Sequence, residues 1–307
     1  MKAYIIDYPP HFGAGHWIYK GYQAAWEHLG YDVIKFPSQE NFNEYIDVSN
    51  IAEDYTIMTV DSTVKPDNLH LIERAYRAYI YVQPNNFPLP WGAHPNFSCL
   101  ASEDIISSLN KADNAYLWTF GDGISYHSKW KHVNIIPLGL DSINYRAMPD
   151  KNYEYDVCFV GGWANNGFNE KRKIMLEWFR PFTTSGLKCG IFINKNLTHE
   201  QENLVLWNSR VAINIHDAYQ QALKLDTNER TFKSLGLAGN LVSDNITQIN
   251  RLFPDVPLVE TPEEMISLVR KYLDMDPEEM QLLKNKNRKM IAKEHSYIQR
   301  VKTMTNL

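Results

Sequence analysis

The chain has 307 residues, enough for about two domains of roughly 150 residues each. Its 44% hydrophobic and 22% charged residues suit a globular protein with a sizeable core, and a net charge of −5 (pI 6.1) excludes a global basic field for nucleic acid or anionic membrane. Three cysteines (Cys99, Cys158, Cys189) without metal-pair spacing, no apolar run near the roughly 18 residues that span a bilayer, and no signal peptide before the first strand lead us to expect a cytoplasmic protein with reduced thiols.

Ala3 to Ile6 reads as a strand, followed by a loop to Gly15 and a helix from His16. In that helix Ile18, Tyr22, Ala25 and Leu29 form one apolar stripe, and Gly30 stops it. Asp32 to Phe36 is a second strand, so the chain opens as a parallel βαβ unit. Further strands are expected at Tyr55 to Val60, Ala78 to Val82, Ala115 to Thr119 and Val133 to Ile136, with an interdomain linker from about 140 to 154. The second half repeats this order. Strands are expected at Tyr155 to Val160, Lys188 to Ile193, Val211 to Ile215 and Asn240 to Ser243, with helices over Asn169 to Phe179 and from Asp226 to about Gly239. Thr261-Pro-Glu-Glu264 and Asp276-Pro-Glu-Glu279 each combine a capping residue, Pro at the first helical position and Glu three residues past the cap. The last helical region is expected to break near His295.

Two glycine-rich strand-to-helix loops carry anion-binding potential: Gly13-Ala-Gly15, next to His16, and Gly161-Gly162 up to Gly167, ahead of a helix carrying Lys171 and Arg172. The first is not a dinucleotide fingerprint, because Ile18 stands where the third glycine belongs and Phe36-Pro37 ends the second strand in place of an acid. His216-Asp217 closes a strand at the end where ligands of open α/β sheets bind. Arg230 falls in the first turn of its helix, where a cation opposes the helix dipole. This broken local rule points to a function, and a diphosphate clamp is the chemistry that suits it.

Arg230-Thr-Phe-Lys-Ser-Leu-Gly-Leu-Ala-Gly resembles the R-x-F-E element of GT-B glycosyltransferases, in particular the spore-maturation-protein-like family. Tyr155-Asp-Val-Cys-Phe-Val-Gly161 resembles the opening strand of that family's second domain, Pro137-Leu-Gly-Leu-Asp141 its P-x-G-x-D hinge, and His295-Ser-Tyr-Ile-Gln-Arg300 its closing helix. The similarity covers roughly residues 130–305; the phage DNA β-glucosyltransferase is a more distant likeness. The resemblance implies a GT-B α/β fold, two Rossmann-like domains whose parallel sheets face each other across a cleft. It divides the chain into an acceptor-side domain over 1–145, a nucleotide-sugar-binding domain over 146–290, and a C-terminal helix over 291–307 that crosses back to the first domain. It also implies that Arg230 contacts the donor diphosphate. The family's ribose-holding Glu is Lys233 here, which leaves Lys233 to meet a phosphate or Glu229 to supply the carboxylate.

The expected donor-binding set is Gly13, Gly15, Gly161, Gly162, Arg172, His216, Asp217, Glu229, Arg230 and Lys233. His16, Asp61 and Asp122 are the candidate catalytic bases. No D-x-D pair suggests a metal, so the expectation is a metal-independent transferase without a cofactor, its co-substrate a UDP- or GDP-linked sugar. The acceptor is a glycan, a small molecule or a modified DNA base, the last disfavoured by the acidic pI. A non-catalytic GT-B binding protein and a nucleotide-sugar epimerase share these features and stay open.

Overall fold

The computed structural model describes residues 2–6, 14–36, 54–163 and 170–306. The chain divides into two compact units, Met1–Pro137 with Arg300–Leu307, and Leu138–Gln299.

The first unit is built on six parallel strands: β1 (Lys2–Ile6), β2 (Asp32–Phe36), β3 (Tyr55–Val60), β4 (Arg77–Tyr81), β5 (Ala115–Thr119) and β6 (Val133–Ile135), in the order β2-β1-β3-β4-β5-β6. β3 is buried at every position, as a central parallel strand covered on both faces must be, whereas the edge strand β6 is largely exposed. Helices α1 (Ala14–His28), α2 (Leu69–Arg74) and α3 (Glu103–Leu109) accompany the sheet, and Ile57, Ile80, Leu71, Ile105 and Trp130 share its core. Of the α1 stripe, Ile18, Tyr22 and Ala25 are buried, while Leu29 lies past the helix end at His28 and is half-buried. The helix starts at Ala14, however, so Gly15 lies in its first turn and not in a loop; Gly13 lies outside the described residues.

The second unit has five parallel strands: β7 (Val157–Gly161), β8 (Cys189–Ile193), β9 (Val211–Asn214), β10 (Leu241–Asp244) and β11 (Leu258–Val259), in the order β11-β10-β9-β7-β8. Its helices are α4 (Lys171–Phe179), α5 (His199–Asn208), α6 (Ala218–Leu223), α7 (Glu229–Leu237), α8 (Thr247–Leu252), α9 (Pro262–Leu273) and α10 (Pro277–Glu294).

 The two cap sequences start their helices as read. Thr261 and Glu264 form a reciprocal capping box ahead of Pro262, the helix they open running to Leu273, and Asp276 accepts the backbone N–H groups of Glu278 and Glu279. The last helix, α11 (Tyr297–Thr305), follows a break at His295 and Ser296 and runs from the second unit into the first. Within the second unit Leu140 pairs with that break: its N–H donates to the His295 carbonyl (2.8 Å) and its carbonyl accepts from Tyr297 N–H (2.9 Å). Phe159, Met175, Phe179, Ile213, Val242 and Val269 belong to one core around this sheet.

Both sheets follow one rule. The chain steps from the first strand of each unit to a neighbour on one side, then returns to the other side for the third strand. The crevice outside the carboxyl ends of the first and third strands is the switch point where doubly wound folds hold ligands. In the second unit that point lies between the ends of β7 and β9.

Candidate active site at the switch point of the second unit

Arg230 occupies this switch point. It sits one residue into α7, whose N-cap is Asn228, not Asp226 as the D-x-x-E pattern suggests; Asp226 is used instead by Tyr219 and Gln220. The dipole conflict seen in the sequence is resolved by direction. The side chain runs to the strand ends, where carbonyl oxygens offer negative potential. Its Nε donates to the Val160 carbonyl (2.7 Å), and Nη1 donates to Asn214 Oδ1 (2.8 Å) and the Ile215 carbonyl (3.4 Å). The guanidinium lies over the Phe159 ring, 4.4 Å from its centroid. Burial lowers its pKa from the usual arginine value, and the Asp217 carboxylate works in the opposite sense. No carboxylate bonds to this cation among the described residues, so its charge is held in place by neutral acceptors. Nη2 has no hydrogen-bond partner there.

Gly161 makes room for that arrangement, because a Cβ at this position would collide with the Arg230 guanidinium. The Gly161-Gly162 turn is held from β8's far end by Asn194, whose N–H donates to the Gly161 carbonyl (2.9 Å) and whose Oδ1 accepts from Trp163 N–H (3.1 Å). A Cβ on Gly162 would strike that same Asn194 side chain. The remainder of this loop, through Gly167, lies outside the described residues.

A second cation joins the first. Lys171, the first residue of α4, is buried; its Nζ donates to the Ile215 carbonyl and stands 2.8 Å from Asp217 Oδ1. Burial lowers its pKa, and the Asp217 charge partly restores it. Arg172, the expected donor contact on this helix, is exposed. Adjacent helical residues point about 100° apart, so only one of the two can face the strand ends, and it is Lys171.

Three other expected contacts turn inward. His216 is fully buried, with Nδ1 2.6 Å from Asp244 Oδ1 and Nε2 2.9 Å from Thr227 Oγ1, so neither ring nitrogen is presented to a ligand. Lys233 is also buried, with its ammonium 2.8 Å from Glu202 and 3.5 Å from Glu229. Its replacement of the family's Glu is thus matched by a carboxylate on α5. Glu229 accepts from Tyr297 Oη (3.3 Å), and Glu202 accepts from Tyr145 Oη. Burial raises Glu229 to about 7, with Lys233 opposing and Glu202 reinforcing that shift. Burial acts the same way on Glu202, but Lys233 outweighs it and leaves this carboxyl below its usual value. One ammonium between two buried carboxyls favours ionising one of them first, and that one is Glu202.

The three candidate bases belong to the first unit. Asp61 follows β3 at that unit's own switch point. It is wholly buried, and its Oδ2 accepts from Gln83 N–H (3.2 Å). Burial raises its pKa to about 6, against hydrogen bonds from Cys99 and from backbone N–H groups. This pKa suits a base near neutrality, but the covered carboxyl reaches no acceptor in this conformation. His16, in the first turn of α1, and Asp122, in the loop after β5, are half-buried.

Lys171 was noted beside Arg172 but not placed in the donor set, and Asn214, Thr231 and Asp244 were not singled out from the sequence. Asp244 carries the one usable signal, an acid closing a strand beside His216's strand; Asn214 and Thr231 look like ordinary strand and helix residues. Among the described residues no helix is long and apolar enough to cross a membrane.

The chain is similar in fold to the OtsA apo structure, at 9% identity over 100% of both chains with a TM-score of 0.57. It is also similar to the N-terminal domain of Candida albicans trehalose-6-phosphate phosphatase, at 9% identity over 84% of this chain and 71% of that one, TM-score 0.51. At such identity the likeness speaks for the fold alone, two Rossmann-like units of the GT-B type. No curated protein matches the sequence. The family model described as glycosyl transferase-like matches residues 146–306, just over half of the chain and all of the site around Arg230. The chain therefore belongs to the glycosyl transferase-like family.

Proposed function

We propose that the protein transfers a sugar from a UDP- or GDP-linked donor to an acceptor hydroxyl, with the donor diphosphate seated on Arg230 and Lys171. The observation that carries this reading is the unspent Nη2 edge of Arg230, oriented by Val160, Asn214 and Ile215 over a glycine whose side chain would block it. As the bond between the anomeric carbon and the diphosphate oxygen breaks, negative charge collects on the leaving group. A guanidinium and an ammonium already fixed there need no reorganisation to meet it. The chemistry asks for no metal in this role. The new bond forms from the acceptor oxygen to the anomeric carbon, and the acceptor proton passes to a base, for which half-buried His16 and Asp122 are better exposed than Asp61.

Calorimetric titration with UDP and GDP, followed by mass spectrometry of products from a panel of nucleotide-sugars and acceptors, tests the proposal. Arg230→Ala is expected to weaken binding of the preferred nucleotide by about 1.5–3 kcal/mol, the worth of a charge-assisted hydrogen bond. Equal affinity of wild type and variant would remove Arg230 from the site. Binding without transfer or donor hydrolysis would favour a binding protein, and conversion of the donor to its epimer an epimerase.

A further inference from the structure

The buried polar side chains behind Arg230 form one connected line. Asn214 Oδ1 accepts from Arg230 Nη1 (2.8 Å), and Asn214 Nδ2 donates to Thr231 Oγ1 (2.7 Å). Thr231 Oγ1 is 2.5 Å from Thr227 Oγ1, which is 2.9 Å from His216 Nε2. His216 Nδ1 is 2.6 Å from Asp244 Oδ1. Asn214, Thr227, Thr231, His216 and Asp244 are each at most 2% exposed, and they come from β9 and the loop after it, the loop before α7, α7 itself and β10. Asn214 Nδ2 also reaches Asn228 Oδ1 (3.1 Å), which pins the same amide from the helix N-cap.

The directions of these bonds can be assigned. Asp244 Oδ2 accepts from the His216 backbone N–H (2.9 Å) and from Gln221 Nε2 (2.8 Å), and its Oδ1 faces His216 Nδ1 (2.6 Å), so the carboxylate serves as an acceptor throughout. Nδ1 of His216 therefore carries a proton and donates to it. In the neutral ring Nε2 accepts from the Thr227 hydroxyl, Thr227 accepts from Thr231, and Thr231 accepts from Asn214. Every donor then points away from Arg230 and towards Asp244, and each buried polar atom on the line is used. Such a fully satisfied line has one low-energy arrangement, and it fixes which atom Asn214 offers to the guanidinium.

We propose that His216 and Asp244 are positioning residues for donor binding: by setting the polarity of the line through Thr227, Thr231 and Asn214, they hold Arg230 with its Nη2 edge free at the switch point. The proposal rests on the reading of Arg230 as the diphosphate ligand. It replaces the direct donor contact expected of His216 with an indirect one. Asp244→Asn keeps the side-chain shape but presents both a donor and an acceptor, which releases the ring tautomer and lets the line reverse. Thr231→Val keeps the volume and removes the short route through the two threonines, leaving only the longer contact of Asn214 Nδ2 with His216 Nε2 (3.4 Å).

The test is a double-mutant cycle on the full chain, with UDP and GDP as probes and thermal unfolding as the check on folding. Thr231→Val and Asp244→Asn should each weaken binding about three- to tenfold, the range for one lost hydrogen bond. Neither should weaken it further in an Arg230→Ala background. Additive losses in that background would overturn the proposal while leaving the role of Arg230 intact; an Arg230→Ala variant with wild-type affinity would instead sink the role of Arg230. A second readout needs no ligand. In ¹⁵N NMR, wild-type His216 should show the Nδ1-protonated neutral tautomer, and the Arg230 guanidinium should show slowed rotation that Thr231→Val and Asp244→Asn both release. Arg230 signals indifferent to both substitutions would overturn the proposal even if no nucleotide binds.

Discussion

At the scale of single residues, the site depends on an absence. Gly161 leaves the space through which Arg230 passes, and the guanidinium is the far end of a flexible side chain. Gly161→Ala is therefore expected to displace Arg230 more than the fold: nucleotide affinity should fall about as far as in Arg230→Ala, while the urea midpoint moves little. A large stability loss with unchanged affinity would show that the glycine serves only the turn. Glu229 gives a pH signature. Its folded-state pKa of about 7 lies above the ordinary glutamate value of 4.5, so the folded protein holds this proton more tightly than the unfolded chain does. The resulting stability is complete below about pH 4.5 and is lost as pH rises to 7, at no more than about 1.4 kcal/mol per pH unit. Glu229→Gln should flatten the part of the decline that falls between pH 5 and 7, as read from urea unfolding at a series of pH values. An unchanged slope would mean that the carboxyl is ionised throughout that range beside Lys233. These residue roles were only partly legible in advance. Arg230 announced itself by opposing the helix dipole, whereas His216 and Lys233 looked like ligand contacts because a sequence does not show whether a polar side chain at a strand end or helix start meets solvent or another buried group.

Among the elements, those with a strong local signal were read nearly to the residue. β2, β3 and β5 match their expected spans, and the helices behind Thr261 and Asp276 start where their caps place them. The short elements α2, α3, α6, α8 and β11 were not anticipated; two to seven residues are too few for a periodic pattern to declare itself. α5 did carry a signal, a reciprocal capping box between Thr198 and Gln201 of the kind recognised elsewhere in the chain. The end of α7 offers a test at this scale. Gly239 has φ +82°, and a Cβ there would stand 2.7 Å from Lys284 Cα on α10. Because backbone is the obstacle, Gly239→Ala should destabilise the protein by about 1–3 kcal/mol in urea unfolding. A loss below about 0.5 kcal/mol would mean that α10 shifts without cost.

For the molecule as a whole, ligand binding and folding are linked. A nucleoside diphosphate at about one hundred times its dissociation constant should stabilise the native protein by about 2.7 kcal/mol, and Arg230→Ala should lose most of this at the same concentration. Hydrogen exchange should place the added protection at the ends of β7 and β9 and the start of α7; protection confined to residues 1–137 would contradict the proposed donor site. By itself, the sequence determined the alternation of strands and helices, the parallel α/β class and the strongest helix starts, because periodicity, caps and glycine turns act over a few residues and need no partner. Tertiary structure decided that Lys171 and not Arg172 faces the strand ends, that Lys233 pairs with Glu202, and that His216 stands behind Arg230. These outcomes depend on which side chains from distant segments share a low-dielectric interior, where a polar group must find its partner or go unsatisfied.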